Sequence, residues 1–446
     1  MKRLIKKLLP SQLLSFYHFC LALLACLLYR FPSNEMIVIG VTGTGGKSTT
    51  IKMIGEILAQ SGASVGWLSS LTMRILDKEK INPYHMTMLG RFKLQSQLRE
   101  MVDKGVHYAI IEVTSEGIKQ FRHLGINFDI LVFTNLSKEH IEAHGSFENY
   151  RKTKLKIFKH LDKQKRKKLD WLDKEQLKII IANLDDENAQ YFLQPKADKK
   201  YGFSLKEVSA VLPEKVKFLK LNDFTLSQSG AKFSLDSTKF ELSLLGKFNI
   251  YNALAAITTI RALGIDYLTA KKALLEIKEV PGRMEKIKTN KSFNVIMDLA
   301  HTPDSLKQTY ETLRKSYFLV PGFKNMICVF GSAGGGRDKW KRPVFGEIAA
   351  EYCDKVFLTN EDPYNEKPAK IITDIEKGLK KKKKVLNKDY FKIEDRRKAV
   401  SAALKSAKKD DLVVITGKGT EATMVVGNKK TPWNEKEVIR QELEKL

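Results

Sequence analysis

Cysteine is scarce in this sequence, four in 446 residues at Cys20, Cys26, Cys328 and Cys353. They show neither Cys-x-x-Cys spacing nor the density of a secreted disulfide scaffold, and a reducing cytosol fits that usage. Acid is the minority charge: 51 Asp+Glu stand against 78 Lys+Arg, a net +27 that favours polyanionic partners such as nucleotides, nucleic acid or an acidic membrane surface. Aromatic residues are missing from the basic runs at 163–168 and 380–384. With nothing there to stack bases, these runs read as solvated surface and nucleic acid is not expected as a partner. A clean membrane-spanning run is lacking as well. Met1 to Leu9 carries Lys2, Arg3, Lys6 and Lys7, and the apolar stretch Gln12 to Tyr29 is broken by Ser15 and His18. Leu24-Ala25-Cys26 looks like a lipoprotein cleavage box, but export would strand a nucleotide loop outside the cytosol. Gln12 and His18 count against a span, so a docked or membrane-surface helix, ended by Pro32 and Ser33, is the reading. What is present is the 43% hydrophobic content of a globular chain long enough for two or three domains.

The stretch Ile37 to Thr50, Ile-Val-Ile-Gly-Val-Thr-Gly-Thr-Gly-Gly-Lys-Ser-Thr-Thr, reads as an apolar strand, a glycine-rich turn and the first turn of a helix. Gly43, Gly45 and Gly46 let the backbone close on a phosphate chain, Thr44 and Thr49 flank them, Lys47 reaches the β and γ phosphates, and Ser48 puts its hydroxyl on Mg²⁺. Val41 stands where the strict eight-residue pattern has glycine, so the match is to the shorter Gly-x-x-Gly-Lys-Ser form.

Downstream, Ile51 to Ser61 and Phe92 to Lys104 have helical periodicity, and the apolar runs Tyr108 to Val113 and Asp129 to Phe133 are strands. Strand alternating with helix implies a parallel sheet whose ligands gather at the strand carboxyl ends, which makes Glu112, Asn135 and His140 candidates for a Mg–nucleotide site. Lys163 to Gln176 reads as a charged helix, Ile179 to Ala182 as a short strand, Tyr201 to Leu245 as antiparallel strands and Asn249 to Leu263 as a helix. Val280-Pro281-Gly282-Arg283 is a hinge signal. Beyond it, Val295 to Asp298, Met326 to Phe330, Lys355 to Thr359 and Leu412 to Thr416 are strand-like and end in polar or glycine-rich loops, a second doubly wound sheet. The fold class expected is α/β: a central P-loop ATPase domain with a parallel sheet plus a C-terminal Rossmann-like doubly wound domain. The units are 1–35, 36–283 and 284–446.

The motifs Val41 to Ser48, Glu112-Val113-Thr114-Ser115, Phe133 to Leu136 with His140 and His144-Gly145, Tyr150 to Lys154, Gly246 to Asn249 with Asn252, Pro281 to Glu285, Asp298 to Pro303, Gly336-Arg337-Asp338 with Lys341-Arg342-Pro343, and Gly417-Lys418-Gly419 together resemble the Mur ligase family. These are ATP-dependent enzymes that join amino acids to a nucleotide-linked muramyl peptide. Within the family, the likeness is to the tripeptide synthetases that add the third residue.

The resemblance implies that Gly43, Thr44, Gly45, Gly46, Lys47, Ser48, Thr49, Asn135, Arg283, Asp298 and His301 bind ATP. It implies Mg²⁺ at Ser48, Glu112, His140 and a carbamylated Lys154, with Lys47, Lys154 and His140 as the catalytic set. Ser115 and Arg122 would face the UDP-muramyl peptide, and Arg337, Asp362, Gly417 and Glu421 the incoming amino acid. A cytoplasmic monomer follows, with peripheral contact at the inner membrane surface through residues 1–30. Two other readings stay open: a ligase of the same superfamily on another acceptor, of the folylpolyglutamate type, and a membrane-surface nucleotide-binding protein without ligase activity.

Departures from the family pattern are specific. Some thirty-five residues precede the phosphate loop, so the usual uridine-binding domain is expected to be missing or reduced to one helix. Glu116 and Thr420 stand where the family usually has histidine. Asn360-Glu361-Asp362-Pro363-Tyr364-Asn365 replaces the Asp-Asn-Pro-Arg signature of diaminopimelate-adding enzymes, and Tyr364 lacks a guanidinium fork for a distal carboxylate. With Glu361, Asp362 and Glu366 around it, the site is expected to favour a cationic end such as that of lysine, unless Lys367 takes over the fork's work.

Overall fold

Strand β1 (Ile37–Thr42) is buried along its whole length, as a β-branched run covered by helices on both faces must be. The computed structural model to which it belongs describes residues 11–84, 86–139, 141–206, 216–227, 229–318 and 322–446. β1 is central in a sheet completed by β2 (Val65–Leu68), β3 (Thr72–Ile75), β4 (Lys78–Ile81), β5 (Tyr108–Glu112), β6 (Ile130–Phe133), β7 (Ile179–Asn183), β8 (Lys199–Ser204) and β9 (Val216–Lys220). The order is β4-β3-β2-β5-β1-β6-β7-β8-β9, parallel throughout except for the β2–β3–β4 meander. Gly40 in β1 allows close packing: a Cβ there would lie 2.7 Å from Leu131 Cδ2. One face of the sheet packs on helices Lys47–Gln60, Lys247–Ala262 and Tyr267–Glu276. The other packs on Arg91–Asp103 and Phe147–Asp162.

Two expectations fail in this half. The antiparallel reading of Tyr201 to Leu245 holds only from Asp223: β8 and β9 continue the parallel sheet, and β10 (Asp223–Ser227), β11 (Gly230–Leu235) and β12 (Thr238–Leu242) form the separate antiparallel sheet. Lys163 to Gln176 is not a helix. The preceding helix ends at Asp162, and the chain turns back with one bridge, Lys167 to Gln176. Nor is Lys167 solvated, at 4% exposure. Its ammonium binds the Asp129 carboxylate and the Met36 carbonyl, while Lys178 takes the other Asp129 oxygen at 2.8 Å. A buried carboxylate that needs cations outweighs the helical propensity of the surrounding charged residues.

The second sheet has the order β13 (Glu285–Ile287), β14 (Asn294–Asp298), β18 (Leu412–Thr416), β15 (Met326–Phe330), β16 (Lys355–Leu358), β17 (Tyr390–Lys392). It is parallel except for β13. β19 (Thr423–Val426) and β20 (Lys429–Pro432) make a small hairpin beside it. Cys328 in β15 and Cys353, just after helix Lys341–Tyr352, are joined as a disulfide, a pairing that their spacing did not announce.

Ahead of β1, residues Ser11–Leu28 form one helix. His18, Ala22, Ala25 and Cys26 make its buried stripe at helical spacing. Arg91 Nη2 meets His18 Nδ1 at 2.8 Å, Cys26 Sγ donates to the Leu124 carbonyl at 3.2 Å, and Arg99 reaches the carbonyls of Tyr29 and Arg30. The docked reading is thus met for this segment. The basic residues Lys2, Arg3, Lys6 and Lys7 lie outside the described residues.

Candidate active site

Both parallel sheets turn their strand carboxyl ends toward one cleft of about 870 Å³. On the first sheet the chain leaves β1 through Gly43 and enters the Lys47–Gln60 helix at Gly46, where φ is +79° and a Cβ would lie 2.2 Å from Asn252 Oδ1. Asn135, at the end of β6, pins the loop by accepting from Gly45 N–H at 2.8 Å and donating to the Gly45 carbonyl at 3.1 Å. Thr44 N–H donates to the Asn135 carbonyl at 2.9 Å. Thr49 is buried on the first helical turn. The helix N-terminus and these backbone groups form an anion-binding cradle.

Lys47 Nζ donates to the Thr44 carbonyl at 2.9 Å and lies 3.7 Å from Glu112 Oε1. Ser48 Oγ donates to Glu112 Oε2 at 2.8 Å, and Ser70 N–H donates to the same oxygen at 2.7 Å. Hydroxyl and carboxylate oxygens are hard donors that suit Mg²⁺, an ion usually bound by one or two carboxylates plus phosphates and water. No three His, Cys, Asp or Glu side chains converge on a metal position among the described residues, so Ser48 and Glu112 are the pair that fits one. His140 lies outside the described residues.

Lys154 projects from the Phe147–Asp162 helix into the core under the phosphate loop, where its ammonium meets the Gly43 carbonyl at 2.9 Å and Thr42 Oγ1 at 3.5 Å. Desolvation, aided by the like charge of Lys47, holds its pKa well below the usual lysine range. A neutral buried amine is the form that can add carbon dioxide.

The two sheets meet over the cleft. His301 Nδ1 lies 2.8 Å from the Leu299 carbonyl and Nε2 lies 3.8 Å from Glu139 of the first half. Desolvation lowers its pKa, against the raising effect of Glu139. Lys341 Nζ donates to the His301 carbonyl at 2.9 Å. Asp298, at the end of β14, is spent on the hinge: it accepts from the N–H groups of Met284 and Ala300, both at 2.7 Å, with Arg283 nearby. Burial raises the Asp298 carboxyl, partly offset by Arg283. Arg283 also lines the cleft.

The wall formed by the second sheet carries Arg337, Asp362, Gly417 and Glu421. Arg337 is exposed. Gly417 has φ +109°, and a Cβ there would lie 2.4 Å from the Glu361 carboxylate. The acids that were expected to await a cationic substrate already have cations of their own. Lys418 donates to Asp362 Oδ2 at 3.0 Å and to Glu421 Oε2 at 2.6 Å, and Arg342 binds Glu366 at 3.0 Å. Arg396, Lys341 and Lys418 act on the buried Glu361 carboxyl, whose pKa burial nonetheless raises. Tyr364 sits at φ +52° against Gly335 and pairs through its backbone with Val425 and Gly427.

Ser115, at the start of the short helix Ser115–Lys119, and Arg122 are not among the residues that line the cleft. Ser115 Oγ is 3.2 Å from His144 Nε2. Arg122 donates to the Met88 carbonyl and to Gln120 Oε1, so its guanidinium is held in place before any ligand arrives. Three side chains of this site escaped the sequence reading as individual residues. Glu139 immediately precedes His140 in the polar run after β6, a position that carried the signal. Lys341 lay within a motif but without a role. Ser70 follows β2 with no local signal at all.

Two family models match the chain: Mur ligase middle domain over residues 41–260 and Mur ligase, glutamate ligase domain over residues 282–419. A UDP-N-acetylmuramoyl-L-alanyl-D-glutamate–2,6-diaminopimelate ligase of Caldanaerobacter subterraneus subsp. tengcongensis is 36% identical over 425 residues, 94% of this chain and 81% of that protein. A UDP-N-acetylmuramyl-tripeptide synthetase of Roseiflexus sp. is 34% identical, covering 96% and 82%. Among solved structures, a 2,6-diaminopimelate ligase of the same name as the first relative superposes with a TM-score of 0.58 at 28% identity, covering 92% of this chain and 79% of that one. Folylpolyglutamate synthase of Mycobacterium tuberculosis shares the fold, with a TM-score of 0.64 at 16% identity and coverage of 88% and 91%.

Proposed function

This chain belongs to the Mur ligase family of ATP-dependent amide ligases, and from that premise we propose that it attaches the third amino acid to a UDP-N-acetylmuramoyl dipeptide in peptidoglycan precursor synthesis. The observation that carries the reading is the single cleft with Lys47, Ser48 and Glu112 on one wall and Arg337, Asp362, Gly417 and Glu421 on the other. A nucleotide switch needs only the first wall. A ligase needs both, because a carboxylate is a poor electrophile: ATP phosphorylates it, and the acyl phosphate is then attacked by an amine through a tetrahedral intermediate that expels phosphate.

In this proposal the loop Gly43 to Thr49 and Asn135 hold the phosphates of ATP, and Arg283, Asp298 and His301 brace the nucleotide at the seam. Ser48 and Glu112, with His140 and carbamylated Lys154, would hold magnesium. Bound there, the metal supplies positive charge to the phosphoryl oxygens. Lys47 adds a cation of its own at the same oxygens. Ser115 and Arg122 orient the acceptor carboxylate, and Arg337, Asp362, Gly417 and Glu421 present the amine. Residues 36–283 and 284–446 act as the two jaws, and closure at Pro281 to Arg283 excludes the water that would hydrolyse an acyl phosphate. We place the enzyme in the cytoplasm as a monomer, with residues 1–30 in peripheral contact with the inner membrane surface.

The test is release of phosphate from ATP with each substrate withheld in turn. Turnover that rises only when a UDP-muramyl dipeptide and an amino acid are both present is the expected result. Hydrolysis indifferent to either, or ligation to a pteroate acceptor in its place, would overturn the assignment.

A further inference from the structure

The helix Ser11–Leu28 contains no charged residue, and a helix that is apolar all round is ordinarily covered all round. Here one stripe is covered and the opposite face is open. Phe16 is 65% exposed, Leu24 54%, Leu27 58% and Leu28 64%, with Leu13 and Leu23 alongside them. Such a contiguous patch marks an interaction surface. Its setting has one sign of charge. The first 34 residues hold five Lys or Arg (Lys2, Arg3, Lys6, Lys7, Arg30) and no Asp or Glu. Apolar face, aromatic residues and flanking cations together are the composition of a helix that lies in the interface of an anionic bilayer.

We infer that the outward face of this helix inserts into the surface of an anionic lipid membrane, lying in its plane. The inference rests on the peripheral contact proposed above and deepens it by naming the lipid class, the face and the depth. A span is excluded for the described residues, since no helix is long and apolar enough to cross a membrane. The 18 residues reach about 27 Å at a rise of about 1.5 Å each, and the His18, Ala22 and Cys26 stripe is already held by protein. A second copy is a poor occupant, because a two-fold pairing of this face would bring like cations together. The docked helix is also tied by hydrogen bonds to Arg122, which the proposal above gives to the acceptor. Arg91 Nη2, which meets His18, donates to the Gln120 carbonyl at 3.1 Å, and Gln120 Oε1 accepts from Arg122 at 2.8 Å. Membrane docking therefore sets Ser115 and Arg122 on the bilayer side of the enzyme.

The full chain is tested by co-sedimentation with phosphatidylglycerol-containing vesicles and with pure phosphatidylcholine vesicles. Binding to the first only is expected. Leu23→Glu with Leu27→Glu should weaken it at least about tenfold, and Lys2, Arg3, Lys6 and Lys7 to Gln on the order of a thousandfold, with loss of its salt dependence. Leu268→Glu, at a site elsewhere that is more exposed than either, should leave it unchanged. Ligation measured without vesicles should be the same in the double variant and the parent, which reports that the variant is folded. Depth has its own readout. Cys20 is exposed, Cys26 is buried and the other two cysteines are bonded, so a maleimide fluorophore goes to Cys20 and should shift to the blue on anionic vesicles. Binding retained by the double variant, without a fluorescence shift, would leave a charge-driven peripheral contact and overturn the insertion. No binding by the parent protein would overturn both, while the ligation assay stands apart. A dimer that the double variant abolishes would assign the face to a second copy and overturn the lipid.

Discussion

The carboxylate of Asp338 accepts the backbone N–H groups of Ile141 and Glu142, at 3.3 and 2.9 Å. It thereby caps a short helix of one half with a side chain of the other, and Lys339 N–H returns a bond to Glu142 at 2.8 Å. These bonds tie the two halves together, and in the closure proposed above they act as its latch. Bonds to a charged acceptor are worth about 1.5–3 kcal/mol each, so Asp338→Ala should lower kcat for ligation by about tenfold or more. ATP binding should be unchanged, since Asp338 is not part of the phosphate cradle. Isothermal titration of ATP beside steady-state ligation measures the split, and an equal loss in both would show that Asp338 does not act through closure.

Glu112 gives a second separation. Its oxygens engage Ser48 and Ser70 and stand near Lys47, and in our proposal it contributes to nucleotide binding through the metal position. Glu112→Ala should raise the Mg²⁺ concentration for half-maximal activity by on the order of tenfold and the KM for ATP by less. Lys47→Ala should abolish turnover outright. A Glu112→Ala enzyme with ordinary magnesium dependence would remove this residue from the metal site.

Lys154 is fully buried with a depressed pKa, and in our proposal it becomes a carbamate. Lys154→Ala should lose most ligation activity and recover part of it in acetate or formate, small carboxylates that replace the added group. Full activity of Lys154→Ala in bicarbonate-free buffer would refute the role.

His123 is buried with its ring against Phe121 and His160, and its Nδ1 has no hydrogen-bond partner among the described residues. Desolvation first, then the charges of His160 and Lys156, push its pKa down to about 3. Its unfolded value is about 6.5. Because the folded pKa is the lower one, the unfolded chain binds the extra proton between the two values. The stability present above pH 6.5 is therefore lost as pH falls toward 3. By pH 4.5 this residue alone should cost about 2–3 kcal/mol. Comparing urea midpoints of the parent and His123→Phe from pH 7 to 4.5 checks it: the parent should lose the additional stability and the variant should not.

How much of this was legible in the sequence depended on distance along the chain. The β1 strand, the glycine loop and the Lys47 helix are contiguous, and their local preferences agree with the fold they enter. The alternation of strands and helices after Pro281 was readable for the same reason. What was hidden is long-range. Asp338 and Glu142 are 196 residues apart, and nothing near either one announces the other. Lys167 reads as one more lysine of a solvated run until Asp129, 38 residues earlier, is seen to need it. The sign of a charge is written in the sequence, but its partner is set by the fold, and this is where the reading of the amino-acid pocket went astray.

That pocket carries the last prediction. Glu361, Asp362 and Glu366 argued for a substrate with a cationic end, such as lysine, on the premise that they were unpaired. Lys418 takes Asp362, Arg342 takes Glu366, and Arg396, Lys341 and Lys418 face Glu361, so the premise fails and an added ammonium gains little from them. The opposite specificity is not built in either, because Tyr364 cannot make the paired hydrogen bonds with which a guanidinium reads a second carboxylate. With neither an unpaired acid nor a fork, L-lysine and meso-diaminopimelate should differ by no more than about tenfold in kcat/KM, a gap of about 1.4 kcal/mol. Tyr364→Arg supplies the missing fork beside Gly335 and should raise the diaminopimelate preference by on the order of ten- to a hundredfold, as a charge-assisted pair worth about 1.5–3 kcal/mol would. Ligation rates with both amino acids, for the parent and the variant, decide the matter. A parent enzyme that prefers either substrate by more than a hundredfold would mean that a residue other than Tyr364 reads the distal end.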